Sequence, residues 1–259
     1  MRRIITRHVV ITGASRGIGA GLAEHYADDA TTLTLISRSK EALQAVSERC
    51  RAKGATVHSC TADVADAERM AEILRDPAHP PIDLLIANAG IGGADAVAGP
   101  AGERLEAALA IARTNFLGVV NTVAQALAGF AERGQGQIVI IGSLAGAVPL
   151  PSSPVYSGTK AGVRAYAIAL DRLMRQSGIR VTHVAPGFVA TEMSAGLDME
   201  LPYLVSLDEA VRIIAHGIAR RRREVIFPWQ WRAAAIFLSL LPDWLLVRVV
   251  GQTQKSLEK

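Results

Sequence analysis

The amino-acid sequence predicts a doubly wound α/β fold with a mostly parallel sheet of about seven strands, in a single domain. Two observations carry this prediction. Short apolar stretches of strand length alternate with longer amphipathic stretches through most of the 259 residues. A glycine-rich turn follows the first apolar stretch and leads directly into an amphipathic one. Alternating strands and helices form βαβ units, whose right-handed crossovers cover both faces of a parallel sheet with helices.

The first half of the chain alternates strands and helices from its start. Short runs rich in Val, Ile, Leu and Thr are typical of buried strands, and the longer stretches between them have the period of helices. The predicted elements are, in chain order, strand His8–Thr12, helix Gly17–Asp28, strand Thr32–Ser37, helix Lys40–Ala52, strand Ala55–Cys60, helix Ala67–Leu74 and strand Ile82–Asn88.

The second half continues the pattern with longer helices. The stretch Ile91–Gly102 is rich in Gly and Ala and is predicted as a loop near the strand ends. The elements predicted after it are helix Glu103–Phe130, strand Gln137–Gly142, helix Tyr156–Gln176, strand Arg180–Ala185 and strand Glu224–Phe227.

Composition excludes several classes of protein. Cys50 and Cys60 have no metal-ligand spacing and form no disulfide framework, as expected for free thiols in a reducing cytoplasm. The six histidines are scattered, which predicts no metal site. Residues 1–7 lack the apolar core of a signal peptide, and no apolar run reaches the roughly 18 residues of a spanning helix. The net charge of +4 permits anionic partners without requiring nucleic acid.

A possible phosphate site follows the first predicted strand. The stretch Thr12–Gly19 has glycines at positions 13, 17 and 19, in the pattern Gly-x-x-x-Gly-x-Gly. Glycines let the backbone turn sharply and approach a pyrophosphate, and the free N–H groups of the following helix start bind its charge. Glycines also form ordinary turns, but the position at the first strand–helix junction favours a nucleotide.

Further motifs follow in a characteristic order. Asn88, Ala89 and Gly90 come after the fourth predicted strand, Ser143 comes after the fifth, and Tyr156 and Lys160 lie four residues apart on one helical face. Together with the glycine turn, this set resembles the classical short-chain dehydrogenase/reductase family over roughly residues 7–227. The resemblance implies a Rossmann-type fold, a nicotinamide cofactor and hydride transfer between that cofactor and a carbonyl or alcohol.

The second predicted strand indicates which cofactor is used. An acidic residue after this strand usually binds the ribose hydroxyls of NAD, but here Arg38 stands in that place. A guanidinium can hold a 2′-phosphate through paired hydrogen bonds, and Arg16 in the glycine turn offers a second cation. Either arginine alone could be a solvated surface charge. Together they favour NADP(H).

The resemblance also assigns individual cofactor contacts. It implies that Asp63 and Val64 contact the adenine and that Val189 and Thr191 contact the carboxamide. Asp63 could instead be a helix N-cap, and the Pro186-Gly187 pair could be a simple turn. The residues assigned to cofactor binding are Gly13, Ser15, Arg16, Gly17, Ile18, Gly19, Arg38, Asp63, Val64, Asn88, Ala89, Gly90, Tyr156, Lys160, Pro186, Gly187, Val189 and Thr191.

The resemblance makes Tyr156 the acid/base of the reaction. The ordinary pKa of tyrosine is about 10, and the Lys160 ammonium is expected to lower it by stabilising the phenolate. Lys160 would also hold the nicotinamide ribose, and Ser143 would hydrogen-bond the substrate oxygen. Asn115 matches the family asparagine that helps hold a water leading to the lysine, although it could instead be a satisfied polar group of the core.

The substrate is less well defined by the sequence. The predicted pocket is mostly apolar, which favours a hydrophobic ketone or secondary alcohol. One alternative is a reductase of carrier-bound or sphingoid-type 3-oxoacyl chains. An alternative of another class is a non-catalytic NADP(H)-binding regulator, which would be expected to lack the tyrosine or the lysine. The residues predicted to line the pocket are Ser143, Leu144, Ala145, Leu150, Tyr156, Gly187 and Phe188.

The C-terminal region departs from the alternating pattern. We predict that residues 1–228 form the dinucleotide-binding and catalytic part and that residues 229–259 form a hydrophobic, Trp-rich extension of the same domain. Four arginines, residues 220–223, precede Trp229, Trp231 and Trp244. Basic and Trp-bearing segments suit peripheral membrane contact, here through residues 220–250, whereas the alternatives are a subunit interface or a pocket lid. The family resemblance implies a homodimer or homotetramer, and the expected location is the cytoplasm.

Overall fold

The computed structural model describes residues 8–92, 102–150, 152–195 and 203–230. Within these ranges the chain forms one seven-stranded sheet in the order β3-β2-β1-β4-β5-β6-β7, with every neighbouring pair of strands parallel. The predicted doubly wound α/β fold is therefore confirmed. The strands are β1 His8–Thr12, β2 Thr32–Ser37, β3 Thr56–Thr61, β4 Leu84–Ala87, β5 Gly136–Ile141, β6 Ile179–Pro186 and β7 Glu224–Phe227.

Helices cover both faces of this sheet. Three short 3₁₀ or π segments join or extend the α-helices at Arg113–Leu117, Leu144–Gly146 and Arg175–Ser177 within the described ranges. The α-helices are α1 Gly17–Tyr26, α2 Lys40–Ala52, α3 Ala67–Leu74, α4 Leu105–Ala112, α5 Gly118–Arg133, α6 Pro154–Met174, α7 Glu192–Ala195 and α8 Leu207–Ala219.

Alternate residues of each strand enter two separate core layers. Val9 and Ile11 of β1 pack with residues of α1, α2 and α8, whereas Val10 packs with residues of α3, α5 and α6 on the opposite face. This follows from the two-residue period of a strand, and burial on both faces explains the nearly continuous apolar strand sequences. The order of strands reverses between β1 and β4, so a crevice opens at their carboxyl ends.

The predicted helix Glu103–Phe130 differs from the one observed. It begins at Leu105, ends at Arg133 and contains the π turn. The resulting helical stretch Leu105–Arg133 contains an 18-residue segment with a mean hydropathy of 1.3 and is long and apolar enough to cross a membrane, which the sequence pattern had not predicted. Val119, Val123 and Phe130 of this stretch are nonetheless buried in one of the two core layers.

Two helices were not predicted, and parts of two predictions lie outside the described residues. Helices α7 and α8 occupy a region in which the sequence pattern predicted no helix. The predicted loop Ile91–Gly102 is described only at residues 91, 92 and 102. The predicted extension 229–259 is described only at Trp229 and Gln230, and Trp229 is exposed.

Candidate active site

The glycine turn after β1 is packed so closely that side chains are excluded from it. Gly13 has φ of +65°, and a Cβ there would lie 2.8 Å from the Cα of Ala89. A Cβ on Gly19 would lie 2.2 Å from the carbonyl oxygen of Gly13. Because the side chain of Arg16, the N-cap of α1, accepts no hydrogen bond from the helix, it leaves the N–H groups of the first turn to a ligand. This cradle fits the pyrophosphate of a dinucleotide.

Asn88 holds this turn against the end of β4. Its Nδ2 donates hydrogen bonds to the carbonyl oxygens of Thr12 at 3.0 Å and Gly13 at 3.1 Å. The Thr12 hydroxyl in turn accepts from the backbone N–H groups of Asn88 at 3.0 Å and Ala89 at 3.1 Å. The Asn88 side-chain amide thus supports the glycine turn through both of these hydrogen bonds.

Both arginines predicted to bind a 2′-phosphate lie at the carboxyl edge of the sheet, and each has an acidic partner. Arg16 Nη1 lies 2.9 Å from Glu192 Oε2, and Arg38 Nη1 lies 3.7 Å from Asp63 Oδ2. Both arginine side chains are more than half exposed, at 64% and 58%. They are therefore accessible to a ligand that enters the crevice.

Asp63 is not the N-cap of the third helix. Asp66 occupies that position, and its carboxylate accepts from the backbone N–H of Arg69 at 2.9 Å. Asp63 Oδ1 accepts from the N–H of Ala65 at 2.9 Å in the turn that follows β3. The N-cap interpretation of Asp63 was therefore wrong, because α3 begins at Ala67, as predicted, and the residue that precedes it is Asp66.

Ser143, Tyr156 and Lys160 converge beside the carboxyl end of β5. Ser143 follows this strand and forms a hydrogen bond with the side chain of Tyr156. Lys160 Nζ lies 5.7 Å from the centroid of the Tyr156 ring and donates to the carbonyl oxygen of Ile141 at 3.2 Å. The three groups predicted from the sequence thus share one region, because α6 packs against the Leu144–Gly146 turn that follows Ser143.

Asn115 lies in the π turn and is fully buried. Its Oδ1 accepts from the N–H of Ile91 at 2.8 Å, and its Nδ2 donates to the carbonyl oxygen of Ile91 at 2.9 Å. A Cβ on Gly90 would lie 3.3 Å from Asn115 Oδ1 and 3.5 Å from Lys160 Nζ. Asn115 is therefore a satisfied buried group that also lies beside the lysine, so the two interpretations of this residue are compatible.

Burial dominates the electrostatics of the catalytic pair. It lowers the pKa of Lys160 to about 8, because a buried ammonium loses its hydration. Burial raises the pKa of Tyr156, and the hydrogen bond with Ser143 acts in the opposite direction. The expected lowering of the Tyr156 pKa is not seen in the protein without cofactor, where burial is the largest influence on this phenol.

The segment after β6 folds back over the glycine turn. A Cβ on Gly17 would lie 3.3 Å from Thr191 Cγ2. The Ser194 hydroxyl donates to the carbonyl oxygens of Val189 at 2.7 Å and Thr191 at 2.9 Å, and it accepts from the N–H of Thr191 at 3.0 Å. Val189 also pairs with Val205 in an isolated parallel bridge. The predicted carboxamide contacts thus belong to a segment that is braced by its own hydrogen bonds.

The predicted substrate pocket is only partly open. Leu144 and Ala145 are buried, whereas Leu150 is 39% exposed and Phe188 is half-buried. Leu150 is held near α6 because its N–H donates to the Ser157 hydroxyl at 2.9 Å. Leu150 therefore offers the largest free apolar surface among these side chains.

Two acidic residues near the site were missed by the sequence analysis. The Glu103 carboxylate accepts from the N–H of Val155 at 3.0 and 3.1 Å, one residue before Tyr156. Glu192 pairs with Arg16. No local signal marks either contact, because the partners lie 52 and 176 residues apart. Among the residues described, no group of three or more His, Cys, Asp or Glu could hold a metal ion.

Known proteins are similar to this chain in sequence and in fold. A family model described as short chain dehydrogenase matches residues 7–201. An uncharacterized oxidoreductase of Myxococcus xanthus is 34% identical over 245 residues, covering 94% of this chain and 96% of that protein. A 3-oxoacyl-(acyl-carrier-protein) reductase of Staphylococcus aureus is 32% identical over 200 residues, covering 76% and 80%. A solved short-chain dehydrogenase from Sphingobium yanoikuyae in complex with NADPH has a TM-score of 0.79 and 32% identity, covering 91% and 96%.

Proposed function

The chain belongs to the short-chain dehydrogenase family of oxidoreductases, and we propose that it uses NADP(H) to interconvert a hydrophobic ketone and its secondary alcohol. One observation carries this proposal. The Ser143 hydroxyl, the Tyr156 phenol and the Lys160 ammonium lie together beside the crevice at the carboxyl edge of the sheet. Because this hydroxyl and this phenol are hydrogen-bonded to each other, both can form hydrogen bonds with the same substrate oxygen.

Each residue has a distinct task in the proposed reduction. NADPH, when bound, supplies the hydride. The Ser143 hydroxyl donates a hydrogen bond to the substrate oxygen, and the Tyr156 hydroxyl transfers its proton to that oxygen as negative charge develops. Lys160 stabilises the phenolate that remains, which requires its ammonium form. In oxidation the Tyr156 phenolate accepts the proton instead.

The decisive test compares the protein with its Tyr156→Phe variant. The purified protein should oxidise NADPH in the presence of a panel of apolar ketones, and Y156F should lose about 10²- to 10⁴-fold in turnover because the proton donor is gone. NADPH binding, measured by nicotinamide fluorescence, should be retained. If both proteins bind NADPH and neither turns over any ketone, the non-catalytic regulator becomes the better interpretation.

The preference for NADP(H) over NAD(H) is supported by two cations at the crevice. Arg16 and Arg38 are exposed at the carboxyl edge, and the related Sphingobium protein was solved with NADPH. Arg38→Asp should weaken NADPH binding far more than NADH binding, because only NADPH carries the 2′-phosphate that a carboxylate repels. Equal effects on both cofactors would contradict the proposed clamp.

A second candidate is reduction of a 3-oxoacyl group on an acidic carrier protein. Arg212, His216 and Arg222 line a groove of about 450 Å³ beside the edge strand β7, and the Staphylococcus relative is a carrier-dependent reductase by name. If this candidate holds, a carrier-bound 3-oxoacyl substrate should be turned over better than the same chain as a small thioester. Arg222→Glu should raise KM for the carrier-bound substrate alone. The control is Arg69→Glu on α3.

Location and assembly are proposed from the free thiols and from exposed apolar side chains. The free thiols Cys50 and Cys60 suit the cytoplasm. Exposed Leu105 and Leu109 of α4 suit a homodimer or homotetramer, which light scattering on the protein and a Leu105→Lys variant would test.

Exposed Trp229 beside the four arginines suits peripheral membrane contact. Flotation of the full chain with anionic vesicles, against Trp229→Ala, would test that contact.

A further inference from the structure

Glu192 lies beside the proposed cofactor site without a role in the proposed chemistry. It follows Thr191 and is the first residue of α7. Its Oε2 lies 2.9 Å from Arg16 Nη1, and the two side chains are 72% and 64% exposed. This ion pair joins the segment after β6 to the glycine turn, across the mouth of the crevice.

The position of Glu192 does not depend on the ion pair. The Ser194 hydroxyl binds the backbone of Val189 and Thr191, and Val189 is bridged to Val205. Thr191 in turn lies close to the glycine turn, since a Cβ added to Gly17 would lie 3.3 Å from Thr191 Cγ2. The backbone that carries Glu192 is therefore braced on the side of the crevice that faces Arg16, and both side chains of the pair are mostly exposed.

We propose that Glu192 is a specificity-determining residue, whose carboxylate competes with the 2′-phosphate of NADPH for Arg16. This inference rests on the proposed use of NADP(H). The 2′-phosphate of NADPH is absent from NADH. To bind this phosphate, Arg16 must leave Glu192 or divide its hydrogen bonds between the carboxylate and the phosphate. This cost falls on NADPH alone, so Glu192 reduces the preference for NADPH that the arginines create.

The other proposed clamp residue offers a contrast. Arg38 is 3.7 Å from Asp63, but Asp63 is itself fixed by the N–H of Ala65 and is a predicted adenine contact. Changing Asp63 would disturb several contacts at once. Glu192 makes one side-chain contact among the described residues, to Arg16. Glu192→Gln therefore removes the charge while leaving an amide oxygen that can still accept from Arg16.

The test is equilibrium binding of NADPH and NADH to the full chain and to E192Q, by calorimetry at low ionic strength. E192Q should bind NADPH about two- to fivefold more tightly, the range expected for an exposed ion pair, and NADH with unchanged affinity. The difference should disappear in about 1 M salt, where charges are screened within about 3 Å. The matched control is Glu72→Gln, which removes a carboxylate from the exposed Arg69–Glu72 pair on α3.

Arg16→Ala separates competition from simple repulsion. In an R16A background, E192Q should no longer tighten NADPH binding, since there is no shared partner. The inference is overturned if E192Q binds NADPH no more tightly than the parent protein, if NADH gains equally, or if the gain persists without Arg16.

The cofactor proposal fails separately, if the parent protein does not prefer NADPH over NADH. In that case an E192Q protein that acquires the preference still supports the competition, and an E192Q protein without it overturns both.

Discussion

Lys160 has a role in the proposed reaction, but its burial should lower the free energy of unfolding of the protein. Burial lowers its pKa from an ordinary 10.5 to about 8. At about 1.4 kcal/mol per pH unit, that difference corresponds to about 3 kcal/mol of lost stability at pH 7, where the amine is charged in both states. Lys160→Met removes this cost but leaves the carbonyl oxygen of Ile141 without its donor, which offsets about 1–2 kcal/mol. The variant should gain about 1–2 kcal/mol in its free energy of unfolding at pH 7.

The gain should depend on pH in a defined direction. Between pH 8 and 10.5 the unfolded protein binds more protons at this residue than the folded one, so the stability of the parent protein rises with pH. Above that interval the amine is neutral in both states, and the charge-related cost vanishes. The advantage of K160M should therefore shrink as pH rises from 8 towards 10.5, and the variant should become the less stable protein where only the lost hydrogen bond counts.

The difference in free energy of unfolding between the two proteins can be measured by urea unfolding without cofactor. The measurement is repeated at several pH values from 7 to about 10.5. The exposed Lys40→Met variant on α2 is the matched control and should show no such pH-dependent difference. K160M should also lose turnover, because the phenolate of Tyr156 loses its stabilising charge. A K160M protein that is less stable at pH 7, or an advantage that does not change with pH, would refute the reasoning.

Three further predictions concern the glycine turn and its surroundings. Gly19→Ala should weaken cofactor binding by at least about tenfold, because its Cβ would lie 2.2 Å from the Gly13 carbonyl oxygen; fluorescence titration against Gly158→Ala, whose Cβ would meet nothing, checks this. Asn88→Ala should raise the Kd for either cofactor and lower stability by about 1–3 kcal/mol, since two carbonyl oxygens lose their donor. Asp66→Ala should lower stability by about 1 kcal/mol in urea unfolding with cofactor affinity unchanged, because Asp66 caps α3 outside the crevice.

Local periodicity was sufficient for most of the secondary structure. Strands β1, β2 and β7 have the predicted bounds, and the other four differ by one or two residues at their ends. Helix α8 was missed although Ser206 accepts from the N–H of Glu209, a Ser-x-x-Glu start that the sequence displays openly. The π turn could not be anticipated, because it accompanies the pairing of Asn115 with Ile91, 24 residues away.

In the candidate site, too, some features follow from the local sequence and others depend on contacts between distant segments. The spacing of Tyr156 and Lys160 places them on one helical face, and the order of the glycine turn, Ser143 and this pair is a property of the sequence alone. Their meeting beside β5 depends on how α6 crosses the sheet. The ion pair of Arg16 with Glu192 and the support of Val155 by Glu103 likewise depend on chain segments that only folding brings together.

By itself, the sequence determined the alternation of strands and helices and the side-chain-free turn for a pyrophosphate, because each is encoded by residues within a few positions of one another. The identity of the three reactive groups came from the order of the motifs and their resemblance to a known family. The tertiary structure decided which charges meet and how deeply each is buried. It lowered the pKa of Lys160 and raised that of Tyr156, since hydration is lost only when distant segments close around a side chain.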